Sequence, residues 1–143
     1  YWRMPDKTAQ EFTVDRWFRT GDLATIDADG YVSIVGRSKD MIITGGLNVY
    51  PREVEQAIDQ IDGVAESAVV GIPHPDFGEG VVAVVAAQVD HELEEQEIIN
   101  SVREHLADFK APKRVVFVDR LPRNTMGKVA KAGLREDLDG MFR

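Results

Sequence analysis

Apolar and polar residues change their spacing several times along the chain, and each change marks an element. Tyr31, Ser33 and Val35 alternate with Val32 and Ile34, the two-residue period of a half-buried strand. Leu23–Ile26 is a second strand-like run, Asp29-Gly30 between the two is a strong hairpin turn, and Trp17–Thr20 predicts a further extended stretch. From Pro51 the period lengthens. Val54, Ala57, Ile58 and Ile61 recur every three or four residues, which predicts an amphipathic helix with Pro51 in its first turn, Glu53 and Glu55 near its start and Gly63 as its stop. Val64–Ile72 and Val81–Val89 are β-rich runs joined by P-H-P-D-F-G-E-G, a loop dense in Pro and Gly. Ile98, Ile99, Val102 and Leu106 stripe a second helix over Glu94–Leu106. Val115–Val118 is apolar throughout and predicts a short strand buried on both sides, followed by a loop from Leu121 to Gly127 and a last helix from Lys131 to Leu138.

The densest stretch of signals lies between the hairpin and the first long helix. A charged turn, Gly36-Arg37-Ser38-Lys39-Asp40, leads into a short apolar strand, Met41–Ile43, then Gly45-Gly46, Asn48-Val49-Tyr50-Pro51 and the helix start. Two adjacent glycines strip side chains from a surface, which suits backbone laid along a ligand; a plain loop between strand and helix accounts for the pair equally well. These elements predict an α/β (α+β) domain over residues 37–143, preceded by a hairpin (residues 1–36) that belongs to a neighbouring domain. Tyr1 and Trp2 are large apolar residues with no preceding partner, so the start reads as the tail of something longer.

Composition narrows the function. Of 143 residues, 43% are apolar and 29% charged, as in a soluble globular protein, and no apolar run is long enough to span a membrane. The N-terminus lacks a signal-peptide pattern, which places the chain in the cytoplasm. There is no cysteine, so disulfides, thiolate metal sites and cysteine nucleophiles are excluded, and His74, His91 and His105 lack metal-ligand spacing. With 25 acidic against 17 basic residues the net charge is −8, which argues against general nucleic-acid binding but leaves room for a small anion held by a few local cations.

Three short motifs could carry chemistry. Thr20-Gly21-Asp22-Leu23 offers a carboxylate able to accept hydrogen bonds from two adjacent hydroxyls, as acidic residues do on ribose. Arg37 offers a planar fork for ribose or phosphate oxygens. Lys128 closes Leu121-Pro122-Arg123-Asn124-Thr125-Met126-Gly127-Lys128 just before the last helix, where an ammonium could neutralise charge that builds up during a group transfer. The glycine pattern of a phosphate-cradling Walker loop is missing. Taken singly, each motif is also what an ordinary surface turn contains.

Their order and separation together resemble the C-terminal part of the adenylate-forming, or acyl-CoA synthetase, superfamily. The matching segments are Y-W-R-M-P-D-K-T, W-F-R-T-G-D-L, D-G-Y-V-S-I-V-G-R-S-K-D, G-G-L-N-V-Y-P-R-E-V-E, P-H-P-D-F-G-E, F-K-A-P-K and D-R-L-P-R-N-T-M-G-K-V-A-K. The resemblance implies a mobile C-terminal domain with a short mixed β-sheet flanked by about three helices. It implies an enzyme that uses ATP to convert a carboxylate to an acyl-adenylate and then transfers the acyl group to coenzyme A. In that family's terms Asp22 holds both ribose hydroxyls, Arg37 approaches the ribose, and Lys39 is the hinge. Lys128 bridges the carboxylate and the α-phosphate, and Gly45 and Gly46 line the pantetheine channel. Mg2+ would be held mainly by the large N-terminal domain, which this chain lacks and which would be its partner, so the chain alone is expected to be inactive. Pro122–Lys128 also fits the P-x-x-x-x-G-K pattern around lysines that acetyltransferases and deacetylases act on in this family. Within the superfamily I-T-G-G-L-N-V-Y-P, H-P-D-F-G-E-G-V and L-P-R-N-T-M-G-K-V-A-K look most like malonyl-CoA synthetases. A fatty-acid CoA ligase, a peptide-synthetase adenylation domain and a non-catalytic binding module are the other readings.

Overall fold

Asp27 makes the hairpin turn. Its Oδ1 accepts hydrogen bonds from the backbone N–H groups of Asp29 (3.0 Å) and Tyr31 (2.9 Å), and Gly30 supplies the positive φ of 88° that closes the loop. The computed structural model, which describes residues 1–143, shows the strands on either side, β1 (Asp22–Ile26) and β2 (Val32–Arg37), antiparallel from Ile26↔Val32 to Asp22↔Arg37. A bulge at Leu23/Ala24 interrupts the register near the open end. Ahead of them lies a seven-residue helix, α1 (Pro5–Glu11), which the apolar pattern does not mark because P-D-K-T-A-Q-E has no stripe and buries nothing. Trp17–Thr20 is not a strand. It makes one isolated bridge, Phe12↔Phe18, and Thr13 Oγ1 accepts from the Trp17 N–H instead, so its β-prone residues find no ladder to join.

The chain divides into two compact units, Tyr1–Lys39 and Asp40–Arg143. The second holds β3 (Ile42–Thr44), β4 (Leu47–Val49), α2 (Pro51–Ile58), β5 (Val64–His74), β6 (Gly78–Ala87), α3 (Glu95–His105), β7 (Arg114–Val118) and α4 (Lys131–Asp137). Its sheet is mixed: β6 is antiparallel to β5 and to the end of β3, and parallel to β7. The sheet has apolar residues on both faces. Val69, Val81, Ala83 and Val85 join Val54 and Ile58 of α2 and Ile98, Ile99 and Val102 of α3 in one core. Ala68, Val70, Ile72, Val82 and Val84 join Leu121 and Leu134 in the other. This is the three-layer arrangement that continuous Val-rich runs demand.

Four details depart from the pattern. The Pro- and Gly-dense segment after Ile72 is mostly ladder: β5 runs on to His74 and β6 starts at Gly78, with Pro73 tolerated because β5 pairs on one side only. α2 stops at Ile58, short of Ile61. β4 is an additional strand, paired Ile42↔Val49 to Thr44↔Leu47. β7 is not buried on both sides, since it pairs only with β6 and Phe117 is 42% exposed.

Candidate functional site

In the first unit the strand register brings two of the expected site residues together. Asp22 and Arg37 face each other across β1 and β2, and Arg37 Nε lies 3.3 Å from Asp22 Oδ1. Both side chains reach solvent, so the pair is a weak surface contact that either group can exchange for a hydrogen bond to a ligand. Gly21, with φ of 74°, turns the chain into β1. Its carbonyl accepts from the Ser38 N–H (2.9 Å), and Thr20 Oγ1 accepts from the Asp22 N–H (3.0 Å). Beside the pair is a recess of about 370 Å³ whose lining includes Glu11, Arg19, Thr20, Gly21, Arg37 and Lys39. Three cations and one carboxylate make this spot anion-friendly on a chain whose net charge is −8. Lys39 is exposed within a single 3-10 turn, Ser38–Asp40, and is the last residue of the first unit.

Gly45 and Gly46 form the two-residue turn between β3 and β4. Their φ values of 56° and 78° are those of a tight hairpin turn in which both central residues need a positive φ. The Gly45 N–H donates to the Phe77 carbonyl at 2.8 Å, which ties this turn to the β5–β6 turn. Backbone geometry alone therefore accounts for the glycine pair.

Lys128 sits at the end of a loop whose backbone is closely tied. The Asn124 N–H donates to the Lys128 carbonyl (2.8 Å), Asn124 Oδ1 accepts from the N–H groups of Met126 and Lys128 (3.0 Å each), and Gly127 has a φ of 77°. The Lys128 ammonium is in no ion pair and the residue is exposed. Two other lysines of the second unit are committed to ion pairs: Lys110 to Glu53 and Lys131 to Glu55, each at 2.6 Å. No hydrogen bond or ion pair links Lys128 to the Gly45-Gly46 turn. Sequence reasoning passed over Asn124, Arg123 and Glu66, which hold this loop. The signal for Asn124 was present, because Asn three residues before Gly is a turn-forming spacing.

The family model for the AMP-binding enzyme C-terminal domain matches residues 53–128. The chain belongs to that family. This AMP-binding C-terminal domain is 55% identical to MatB from Rhodopseudomonas palustris over all of its length and 28% of MatB. It superposes with a TM-score of 0.92 on the ATP-bound structure and 0.78 on the apo structure. It is 50% identical over 133 residues to a 3-[(3aS,4S,7aS)-7a-methyl-1,5-dioxo-octahydro-1H-inden-4-yl]propanoyl:CoA ligase of Rhodococcus jostii, covering 93% of the chain and 26% of the relative. It is 46% identical over 136 residues to the long-chain-fatty-acid–CoA ligase FadD13 of Mycobacterium tuberculosis, covering 95% of the chain and 27% of the relative. The chain thus spans about a quarter of the length of the relatives it matches. Their names place the family's activity with acyl-CoA ligases, and the mixed sheet with its helices is the fold expected of that domain.

Proposed function

We propose that the chain is the C-terminal part of an AMP-forming acid–CoA ligase. ATP and a carboxylate give an acyl-adenylate and pyrophosphate, and the thiol of coenzyme A then displaces AMP to give a thioester. Asp22 accepts hydrogen bonds from both ribose hydroxyls, and Arg37, released from its pair with Asp22, donates to ribose oxygens. Lys128 brings its ammonium between the carboxylate and the α-phosphate, two anions that repel each other until a cation joins them. Gly45 and Gly46 present bare backbone to the pantetheine arm in the second step. Lys39 is the hinge that lets one domain serve both steps in turn. Magnesium is assigned to residues outside the chain.

The observation that carries this reading is Lys128: an exposed, unpaired ammonium at the end of a hydrogen-bonded loop, inside a segment matched to the family. Two structures of one MatB sequence superpose on this chain to different extents, so that region of MatB has more than one conformation, which supports a moving domain. The test uses the full-length enzyme. Lys128→Ala abolishes pyrophosphate release while thioester formation from supplied acyl-adenylate persists; an equal fall in both half-reactions would remove the assignment.

The acid is proposed to be malonate, on the wording of the three segments quoted above. The relatives' names cover a bicyclic propanoate and a long-chain fatty acid at similar identity. This region is therefore shaped by what the enzymes share, and the FadD13 likeness favours a fatty acid as the second reading. Pyrophosphate release by the full-length enzyme with malonate and with fatty acids of several lengths separates them; turnover of the fatty acids alone discards malonate. Acetylation of Lys128 by a lysine acetyltransferase would remove the charge the first step needs. Mass spectrometry of protein from cells in several growth states checks it, and an unmodified Lys128 throughout counts against it.

A further inference from the structure

Lys128 is useful only if its backbone is held, because a displaced Cα moves the ammonium at the end of a four-carbon stem. Both of its backbone polar groups end on one residue. The Lys128 N–H donates to Asn124 Oδ1 at 3.0 Å, and the Lys128 carbonyl accepts from the Asn124 N–H at 2.8 Å. A second chain of contacts fixes the residue before it. Glu66, on the strand β5, accepts from the Leu121 N–H at 3.3 Å and forms an ion pair with Arg123. The other arm of the Arg123 guanidinium donates to the Gly127 carbonyl at 2.9 Å. Glu66 pairs with Ala86 of β6 just after a bulge at Val64/Glu66, so it ties the loop to the long β5–β6 ladder of the second unit.

We propose that Asn124, Arg123 and Glu66 are positioning residues for adenylation, holding the Lys128 backbone in place through one carboxamide and one ion pair to the sheet. The inference rests on the assignment of Lys128 to the adenylation step. The side chains involved are too exposed to serve mainly as stabilisers: Arg123 is 49% and Glu66 29% accessible, and pairs of that kind add little to folding. Arg123 donates from two separate nitrogens of a rigid planar fork, one to the Gly127 carbonyl and one to Glu66, whereas a lysine ammonium carries its donors on a single nitrogen that cannot occupy both positions. Asn124 needs only a side-chain oxygen in place, which aspartate keeps and alanine lacks.

The experiment takes the full-length enzyme with Asn124→Ala, Asn124→Asp, Arg123→Lys and, as reference, Lys128→Ala. Single-turnover pyrophosphate release, thioester formation from supplied acyl-adenylate and thermal unfolding are measured for each. A misplaced catalytic group costs on the order of tenfold to a hundredfold, so Asn124→Ala and Arg123→Lys lose adenylation by about that factor. Asn124→Asp stays close to wild type, thioester formation is unchanged in all of these, and the unfolding temperature does not move. Wild-type adenylation in Asn124→Ala and Arg123→Lys beside a dead Lys128→Ala overturns the positioning role and leaves Lys128 in place. A parallel fall in both half-reactions with a lower unfolding temperature assigns the contacts to folding and also overturns it. Full adenylation in Lys128→Ala removes the assignment on which the inference rests, and the inference with it.

Discussion

Glu95 shows how one side chain binds a helix to a strand. It opens α3, and its Oε1 accepts from the Val115 N–H of β7 at 2.8 Å and from Arg114 Nε at 2.9 Å. The backbone hydrogen bond from Val115, aided by Arg114, outweighs partial desolvation and holds this carboxyl below its ordinary value of 4.5. A lowered folded-state value means that the contact stabilises the fold above the ordinary range and is lost as pH falls through the folded value. Urea denaturation from pH 7 downward is therefore expected to show Glu95→Gln less stable than wild type near neutrality, with the difference closing below pH 4.5. A gap that stays constant with pH would dismiss the ionic contribution. Gly46 poses a conformational question. With φ of 78° and no atom within 4 Å of an added Cβ, Gly46→Ala meets strain without collision. The left-handed region costs about 1–2 kcal/mol for such a residue, and Gly46→Asn recovers part of it; denaturant midpoints of the two variants check both. Residue type and motif order single out Asp22, Arg37 and Lys128 as candidates, and the half-reaction measurements test their proposed roles. Asn124 carries a turn signal in its spacing to Gly127, whereas Glu66 carries none, since its importance lies in which backbone group it reaches.

Between elements, Glu55 is the least dispensable polar group. It is 7% exposed on α2, accepts from the Val69 N–H of β5 at 2.9 Å and takes Lys131 of α4 at 2.6 Å. A single carboxylate thus covers the unpaired edge of β5 and joins helices that pack on opposite faces of the sheet. Glu55→Ala leaves a buried N–H without a partner and is expected to cost about 1–3 kcal/mol in urea denaturation, with Glu55→Gln milder because it keeps an acceptor. Equal losses in the two variants would show that charge, and not the hydrogen bond, matters. The long helices and the two Val-rich strands were readable because their apolar spacing is strong. α1, β4 and the end of β5 were not. A polar helix that buries nothing has no apolar stripe to read, and a three-residue strand and a proline-bearing ladder are set by what lies beside them, which residue spacing does not record.

Across the whole chain, the division at Lys39/Asp40 falls inside the charged turn Gly36–Asp40, at the position proposed as the hinge. Lys39→Pro fixes φ near −65° and is expected to slow one half-reaction of the full-length enzyme and spare the other. Pre-steady-state rates for both steps measure it, and unchanged rates would move the hinge elsewhere. Much was written in residue order. Spacing specified the main helices and strands, charge and the absence of cysteine excluded whole classes of chemistry, and seven ordered segments carried the family likeness that residues 53–128 then matched. Other features needed the folded chain. Register alone brought Asp22 to Arg37, long-range pairing left β7 at an edge, and packing tied the Lys128 loop to β5 through Glu66 and Arg123. The physical reason is the same in each case. A local pattern reports which face of an element is apolar, whereas the partner of an edge, a carbonyl or a carboxylate depends on segments tens of residues away.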